Sequence, residues 1–269
     1  TVSGGSVAGE GAGYGIFVYY YDMTVNGGSV TATATGENGY GVYAAYGELR
    51  INGNSYFKAE SSAAGQTIYT DGGSDFIVNN LTYTPDTDEK VVTVNNGDVT
   101  GAALAEIDVL YVNNVDMLGD AEKPAGVSYD PSTRTLTLTD AAITRGHGSS
   151  TGSTYGIYAE GDLKLVLNGT NTVSGSDGGG ITRGVGVWGN LTVSGDGSLT
   201  AEGDTYGIYV NHDLTANSGS VTGTGTATDG YGIYVFDAMT VSGATVTGTA
   251  TGTDGCGICV YDNLTVSGG

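Results

Sequence analysis

The sequence predicts an all-β chain wound as a right-handed parallel β-helix, with three short strands in each coil of about 21–30 residues. Three observations lead there. Tyr206-Gly207-Ile208-Tyr209-Val210 returns as Tyr231-Gly232-Ile233-Tyr234-Val235 and as Cys256-Gly257-Ile258-Cys259-Val260, each time 25 residues on. Within one unit, strand-like pieces at Tyr206 to Val210, Leu214-Thr215-Ala216 and Val221 to Thr226 alternate in polarity and are separated by turns, which suits a β-helix better than a leucine-rich horseshoe. Glycine is abundant at 49 residues and proline scarce at 3, and the only helix candidate is Thr100 to Ile107, with Ala102, Ala103, Leu104 and Ala105.

Taken in order, an N-terminal block of coils covers 1–83, with first strands at Ile16-Phe17, Val42-Tyr43 and Ile68-Tyr69. Residues 84–143 then form a hairpin-containing interruption, in which Val127 to Leu138 turns at Asp130-Pro131-Ser132-Thr133 and Leu136-Thr137-Leu138 reads as a capping strand. The C-terminal block, 144–269, restarts the repeat at Ile157-Tyr158 and continues through Val187-Trp188, Ile208-Tyr209, Ile233-Tyr234 and Ile258-Cys259, so that eight coils are counted in all. Thr1 to Gly5 and Thr265 to Gly269 share one phase of the repeat. Solenoids need polar caps on their terminal coils, so further repeats of a parent chain are expected at both ends.

The run Val127 to Leu138, followed by Tyr155-Gly156-Ile157-Tyr158 and Leu163 to Asn171, resembles repeat proteins secreted by Gram-positive bacteria. The likeness covers about 107–269 well and 1–83 more loosely. It implies a cell-surface or extracellular location and a β-helix of the carbohydrate-binding kind, which includes pectin-binding members. Its motifs specify the coil, and no functional residue is carried over from it.

Twenty-nine acidic residues against eight basic ones give a net charge of −21, which repels nucleic acid and anionic membranes. No apolar run reaches the length of a membrane span. The two cysteines, Cys256 and Cys259, replace tyrosines of the repeat; strict alternation would point residues three apart to opposite faces, and this argues against a shared metal or redox site.

Alternation directs Ile208 and Val210 inward and Gly207 and Tyr209 outward. Stacked coils then carry one external aromatic column of Tyr158, Trp188, Tyr209 and Tyr234 and another of Phe17, Tyr43 and Tyr69, with glycines leaving a shelf beside the rings where a polysaccharide could stack. The same column could serve only to stabilise neighbouring strands. The first turn of each coil carries Asp22, Glu48, Asp75, Asp162, Asn190, Asp213, Asp237 and Asp262. Carboxylates at coil spacing repel by about 1 kcal/mol even in bulk water, so calcium bridging Asp162, Asp213, Asp237 and Asp262 is one expectation and ordinary turn hydrogen bonding the other. Third strands present Thr222, Thr224, Thr247 and Thr249 as a lattice, interrupted by the coil bearing Glu202.

No catalytic motif stands out. A polysaccharide lyase needs a base and cations, and Lys164, Arg145, Arg183, His147 and His212 are scattered along the sequence. The expectation is a non-catalytic extracellular carbohydrate-binding or adhesive module of a cell-surface protein, with polysaccharide as partner. A structural stalk is the first alternative, and a β-helical lyase or hydrolase the second.

Overall fold

The computed structural model describes residues 1–70, 75–105, 107, 109–148, 152–175 and 181–268, which form strands and turns with no helix among them. Parallel coils stack as a β-solenoid of about nine turns, one more than the eight counted from the repeat. By internal contact the chain divides into Thr1–Ala105 and Glu106–Gly269.

In Glu106–Gly269 each coil has three separate strands. The first face stacks Ser153–Glu160, Ile181–Val187, Tyr206–Val210, Tyr231–Val235 and Cys256–Val260 in parallel. The second stacks Thr135–Thr139, Leu163–Asn168, Leu191–Gly195, Leu214–Ala216, Met239–Val241 and Leu264–Val266, and the third begins at Ala142–Ile143 and ends at Thr245–Ala250. Equivalent residues meet coil upon coil: Ile208 lies opposite Val185 and Ile233, and Leu214 opposite Leu191 and Met239. All of these are buried, together with Leu165, Leu199 and Val221, in one continuous core. Each large apolar side chain so enclosed contributes about 1.5–3 kcal/mol, and its neighbours above and below are what enclose it. The start of this core is closed by antiparallel pairs. Val127–Asp130 turns back on Thr135–Thr139, with the Asp130 carboxylate accepting hydrogen bonds from the Ser132 amide and hydroxyl at 3.0 and 2.7 Å, and Thr135–Thr139 then lies parallel on Leu163–Asn168 as a capping strand.

In Thr1–Ala105 the second and third strands fuse. Met23–Ala34 and Leu49–Ser61 each run unbroken across both faces and bend where the register shifts between Asn26 and Gly28. Gly27 and Gly28, at φ +97° and +87°, supply the left-handed backbone that this bulge requires. The expected three pieces per coil therefore become two, because a glycine bulge turns the corner without ending the ladder. The first face is a three-stranded parallel sheet of Tyr14–Tyr19, Tyr40–Ala45 and Ile68–Thr70. Val25, Val30, Val42, Ile51, Phe57 and Phe76 form the core of this unit.

The helix expected at Thr100 to Ile107 does not form. Ala102–Leu104 is a strand paired antiparallel with Tyr83–Pro85, because the edge of Leu81–Pro85 satisfies its backbone groups, and this tertiary pairing outweighs the helix preference of alanine.

Candidate functional site

The first strand does not alternate strictly. Tyr206 pairs with Tyr231, Ile208 with Ile233 and Tyr209 with Tyr234, while Gly207 and Gly232 drop out of the register. Each coil thus carries a one-residue irregularity at its glycine. A Cβ on Gly207 would lie 2.2 Å from the Thr224 nitrogen and 2.6 Å from the Gly232 oxygen, so the glycine faces inward, where first-face and third-face backbones touch. The expected glycine shelf outside is absent for this reason. Tyr206 instead stands beside Tyr209, with ring centroids 5.2 Å apart, and the repeated Tyr-Gly-Ile-Tyr sets two rings per coil on the outer face.

Two columns result in Glu106–Gly269. One runs Tyr155, Arg183, Tyr206, Tyr231, Cys256 and the other Tyr158, Gly186, Tyr209, Tyr234, Cys259. Trp188 is not in the second column: Val185 is the partner of Ile157, which puts Gly186 opposite Tyr158 and leaves Trp188 two residues further on, at the rim of the first turn and 37% exposed. The Tyr155 ring fills the gap, since a Cβ on Gly186 would fall 2.4 Å from it. Tyr155 and Tyr158 are enclosed, at 1% and 8% exposure, and Tyr158 donates to the Glu160 carboxylate. Burial, then that hydrogen bond, raises the Tyr158 phenol well above its ordinary value.

Arg183 is the cation of this face. Its guanidinium carbon lies 4.7 Å from the Tyr209 ring, 4.9 Å from Tyr206, 5.1 Å from Tyr155 and 5.9 Å from Trp188, and Nη1 donates to Tyr155 Oη at 2.7 Å. Each such contact at a partly desolvated ring is worth about 0.5–2 kcal/mol. Tyr206 and Tyr209 are half-buried; burial raises their phenols and Arg183 lowers them in part. Beyond Arg183 the rings stack on one another: Tyr206 on Tyr231 at 5.2 Å and 14°, Tyr209 on Tyr234 at 5.7 Å and 4°.

The cysteines follow the same geometry and overturn the expectation from alternation. Cys256 and Cys259 continue the two outer columns and stand on one side of the sheet, both as free thiols. Burial and the neighbouring Cys256 raise the Cys259 thiol.

In Thr1–Ala105 the columns are Tyr14 beside Tyr40, and Phe17, Tyr43 and Tyr69. Phe17 stacks on Tyr43 at 5.5 Å and Tyr43 on Tyr69 at 4.4 Å. This face carries more rings than the expected column. Tyr19, Tyr20, Tyr21 and Tyr46 are all exposed beside it. Tyr20 and Tyr46 occupy the turn of consecutive coils at φ 67° and 63°, a left-handed conformation that costs a bulky residue about 1–3 kcal/mol. The other non-glycine residues at positive φ, among those described, are Asn, Asp and one Arg.

The acidic turns are knit by hydrogen bonds between coils. Asp22 Oδ1 accepts from the Glu48 amide at 2.9 Å, Asp162 Oδ1 from the Asn190 amide and side chain at 2.9 Å each, Asn190 Oδ1 from the Asp213 amide at 3.2 Å, and Asp213 Oδ1 from the Ala238 amide at 2.9 Å. Asp162 also lies 3.5 Å from the buried Arg134 guanidinium. Asp237 faces His212 at 3.2 Å, and exposed Asp262 accepts from Asn263 Nδ2. Among the described residues no group of three or more His, Cys, Asp or Glu side chains is placed to hold a metal. In the threonine lattice Thr222 and Thr224 meet Thr247 and Thr249, while Glu202 stands opposite Thr224 on the other side.

The bases stand on different elements. Lys164 is on the second face, its amine lowered by burial; Arg183 is on the first; His212 is at a turn; His147 stacks on Tyr111 at 3.6 Å in a short strand that precedes the coils. Burial lowers the His147 imidazole, opposed by the Asp116 charge.

No family model, no curated protein and no solved structure matches this chain.

Proposed function

We propose that the protein is a non-catalytic carbohydrate-binding and adhesive module acting outside the cell, at a bacterial surface, with its aromatic first faces as the binding surface. The observation that carries this reading is the pair of outer rings that recurs at Tyr14 and Phe17, Tyr40 and Tyr43, Tyr206 and Tyr209, and Tyr231 and Tyr234, with Phe17 at 49% exposure and Trp188, 37% exposed, against Tyr209 from the neighbouring turn. Flat rings rimmed by phenolic hydroxyls offer a pyranose both an apolar face and hydrogen-bond partners. At −21 the chain is also long-range repulsive to nucleic acid, which leaves uncharged polymers as the better-suited partners. Titrating soluble polysaccharides against Trp188 fluorescence tests it: binding near the Trp188–Tyr209 contact shifts the emission, and silence across a broad panel, together with no retention on insoluble glycans, removes the proposal.

A second reading, a structural spacer, is favoured by one observation. In Glu106–Gly269 the rings lie half-buried and nearly parallel from coil to coil, at 14° and 4°, which is how a ladder stabilises a stack. On that reading Tyr209→Ala lowers the melting temperature and changes no binding.

A further inference from the structure

We infer that the first-turn corner of Thr1–Ala105, built on Tyr20 and Tyr46 with Tyr19 edge-on to both, is a dedicated binding platform for a neutral, pyranose-based polysaccharide; this inference rests on the carbohydrate-binding reading above. The corner differs from its counterparts in length. From the ladder partners Val18 and Ala44 to Met23 and Leu49 lie residues 19–22 and 45–48, four in each case, against three at 211–213 and 236–238. The residue that takes the left-handed turn is tyrosine in both coils, at φ 67° and 63°, where the three-residue corner 160–162 uses Gly161 at φ 111°.

Glycine would take that backbone without strain, and glycine is plentiful at the other corners of this chain. Tyrosine is held there twice, in adjacent coils, and its ring gains little from the fold, since Tyr20 and Tyr46 remain 61% and 58% exposed. The rings stack on each other at 5.3 Å and 19°, Tyr19 meets Tyr20 edge-on at 4.0 Å, and Phe17 stacks on Tyr19 at 5.8 Å, which continues the platform onto the first face. Strain kept at an exposed position points to a use outside the fold. The chemistry around the platform selects the ligand. The Tyr19 hydroxyl bonds the Tyr20 hydroxyl at 3.2 Å, so hydroxyls form the rim, and Asp22 and Glu48 follow in the same turns. The basic side chain nearest in sequence, Arg50, is engaged by Glu48. A surface of rings, hydroxyls and carboxylates accepts hydrogen bonds from sugar hydroxyls and disfavours uronates, phosphates and sulfates.

The test uses the full chain and columns of cellulose, mannan, xylan and chitin. Tyr20→Gly combined with Tyr46→Gly removes both rings while suiting the backbone, so the melting temperature stays equal or rises and retention on the best neutral glycan falls at least tenfold. Tyr20→Phe with Tyr46→Phe keeps the faces and loses only a few-fold. If the wild-type chain is retained and the glycine pair is retained equally, the platform is wrong and the broader reading stands. If the wild-type chain is retained on none of the four, the inference fails, and the broader reading falls with it only when Trp188 emission is also silent across the soluble panel. A fall in melting temperature in the glycine pair, or wild-type binding to neutral phosphatidylcholine vesicles with the glycans left unbound, also overturns the inference.

Discussion

The two units build one coil motif with different surroundings, and the aromatic face is where they part. In Glu106–Gly269 the paired columns close around Arg183, and Tyr155 and Tyr158 are enclosed. In Thr1–Ala105 one residue is added to the turn, and Tyr14, Phe17, Tyr19, Tyr20 and Tyr46 stay in contact with solvent. The lesson is that a repeated tyrosine is not by itself a binding residue. The same outward position is covered where a neighbouring coil and Arg183 pack on it, and stays exposed where the turn beside it is lengthened.

What both units share is the inward glycine, and breaking it has the largest effect. Gly207→Val forces a side chain into the Thr224 and Gly232 backbone, and the expected loss is at least about 3 kcal/mol, seen as collapse of the urea midpoint. A midpoint close to that of the parent would mean that the glycine faces water after all.

Next is the contrast between covered and exposed rings. Arg183→Ala removes a cation shared by four rings and a bond to Tyr155, and costs about 2 kcal/mol by thermal or denaturant unfolding. Phe17→Ala, at an exposed ring, changes stability by less than about 1 kcal/mol yet weakens glycan retention. Equal destabilisation by the two substitutions would erase the distinction.

Alkali sharpens it further. Tyr158, Tyr206, Tyr209 and Tyr234 are raised chiefly by burial, so the folded state holds them neutral where the unfolded chain ionises. Their contribution is complete below the ordinary tyrosine value of about 10 and is lost as pH rises through the higher folded values, so Glu106–Gly269 loosens above pH about 10. Near-ultraviolet circular dichroism followed with pH reads this directly, and tyrosinates forming there with no loss of signal would contradict it.

The smallest expected effect belongs to the acidic turns. Asp22, Asp162 and Asp213 already accept backbone amides from the next coil, so calcium or a chelator moves the melting temperature very little. A clear rise with calcium would restore the bridging ion as an explanation of that column.

The fold was largely legible. The return of Tyr-Gly-Ile-Tyr-Val and the aliphatic pattern were enough to show stacked coils, because a parallel solenoid repeats its core residues in register. The hairpin at Asp130 to Thr133 was equally plain from its turn residues. The site was less so. Alternation predicted the side of Tyr209 but placed Gly207 outside and separated Cys256 from Cys259, since period two has no room for a residue that leaves the ladder. A glycine repeated at the same place between two aromatics was the available signal. Trp188 was misplaced by two residues because Gly186, lacking a side chain, hid the true ladder position. Tyr20 and Tyr46 were missed because the one-residue lengthening of their turns, the available signal, does not show which residue takes the left-handed backbone.

The central claim is that the residue before each glycine and the residue two places after it face the same way, outward, and Cys256 and Cys259 test it without any substitution. Intact-mass measurement of the native chain after treatment with a small methanethiosulfonate at mildly alkaline pH should show two adducts before any unfolding. A single adduct in the native chain, with the second gained only in denaturant, would put Cys256 inside and contradict the arrangement of both aromatic faces.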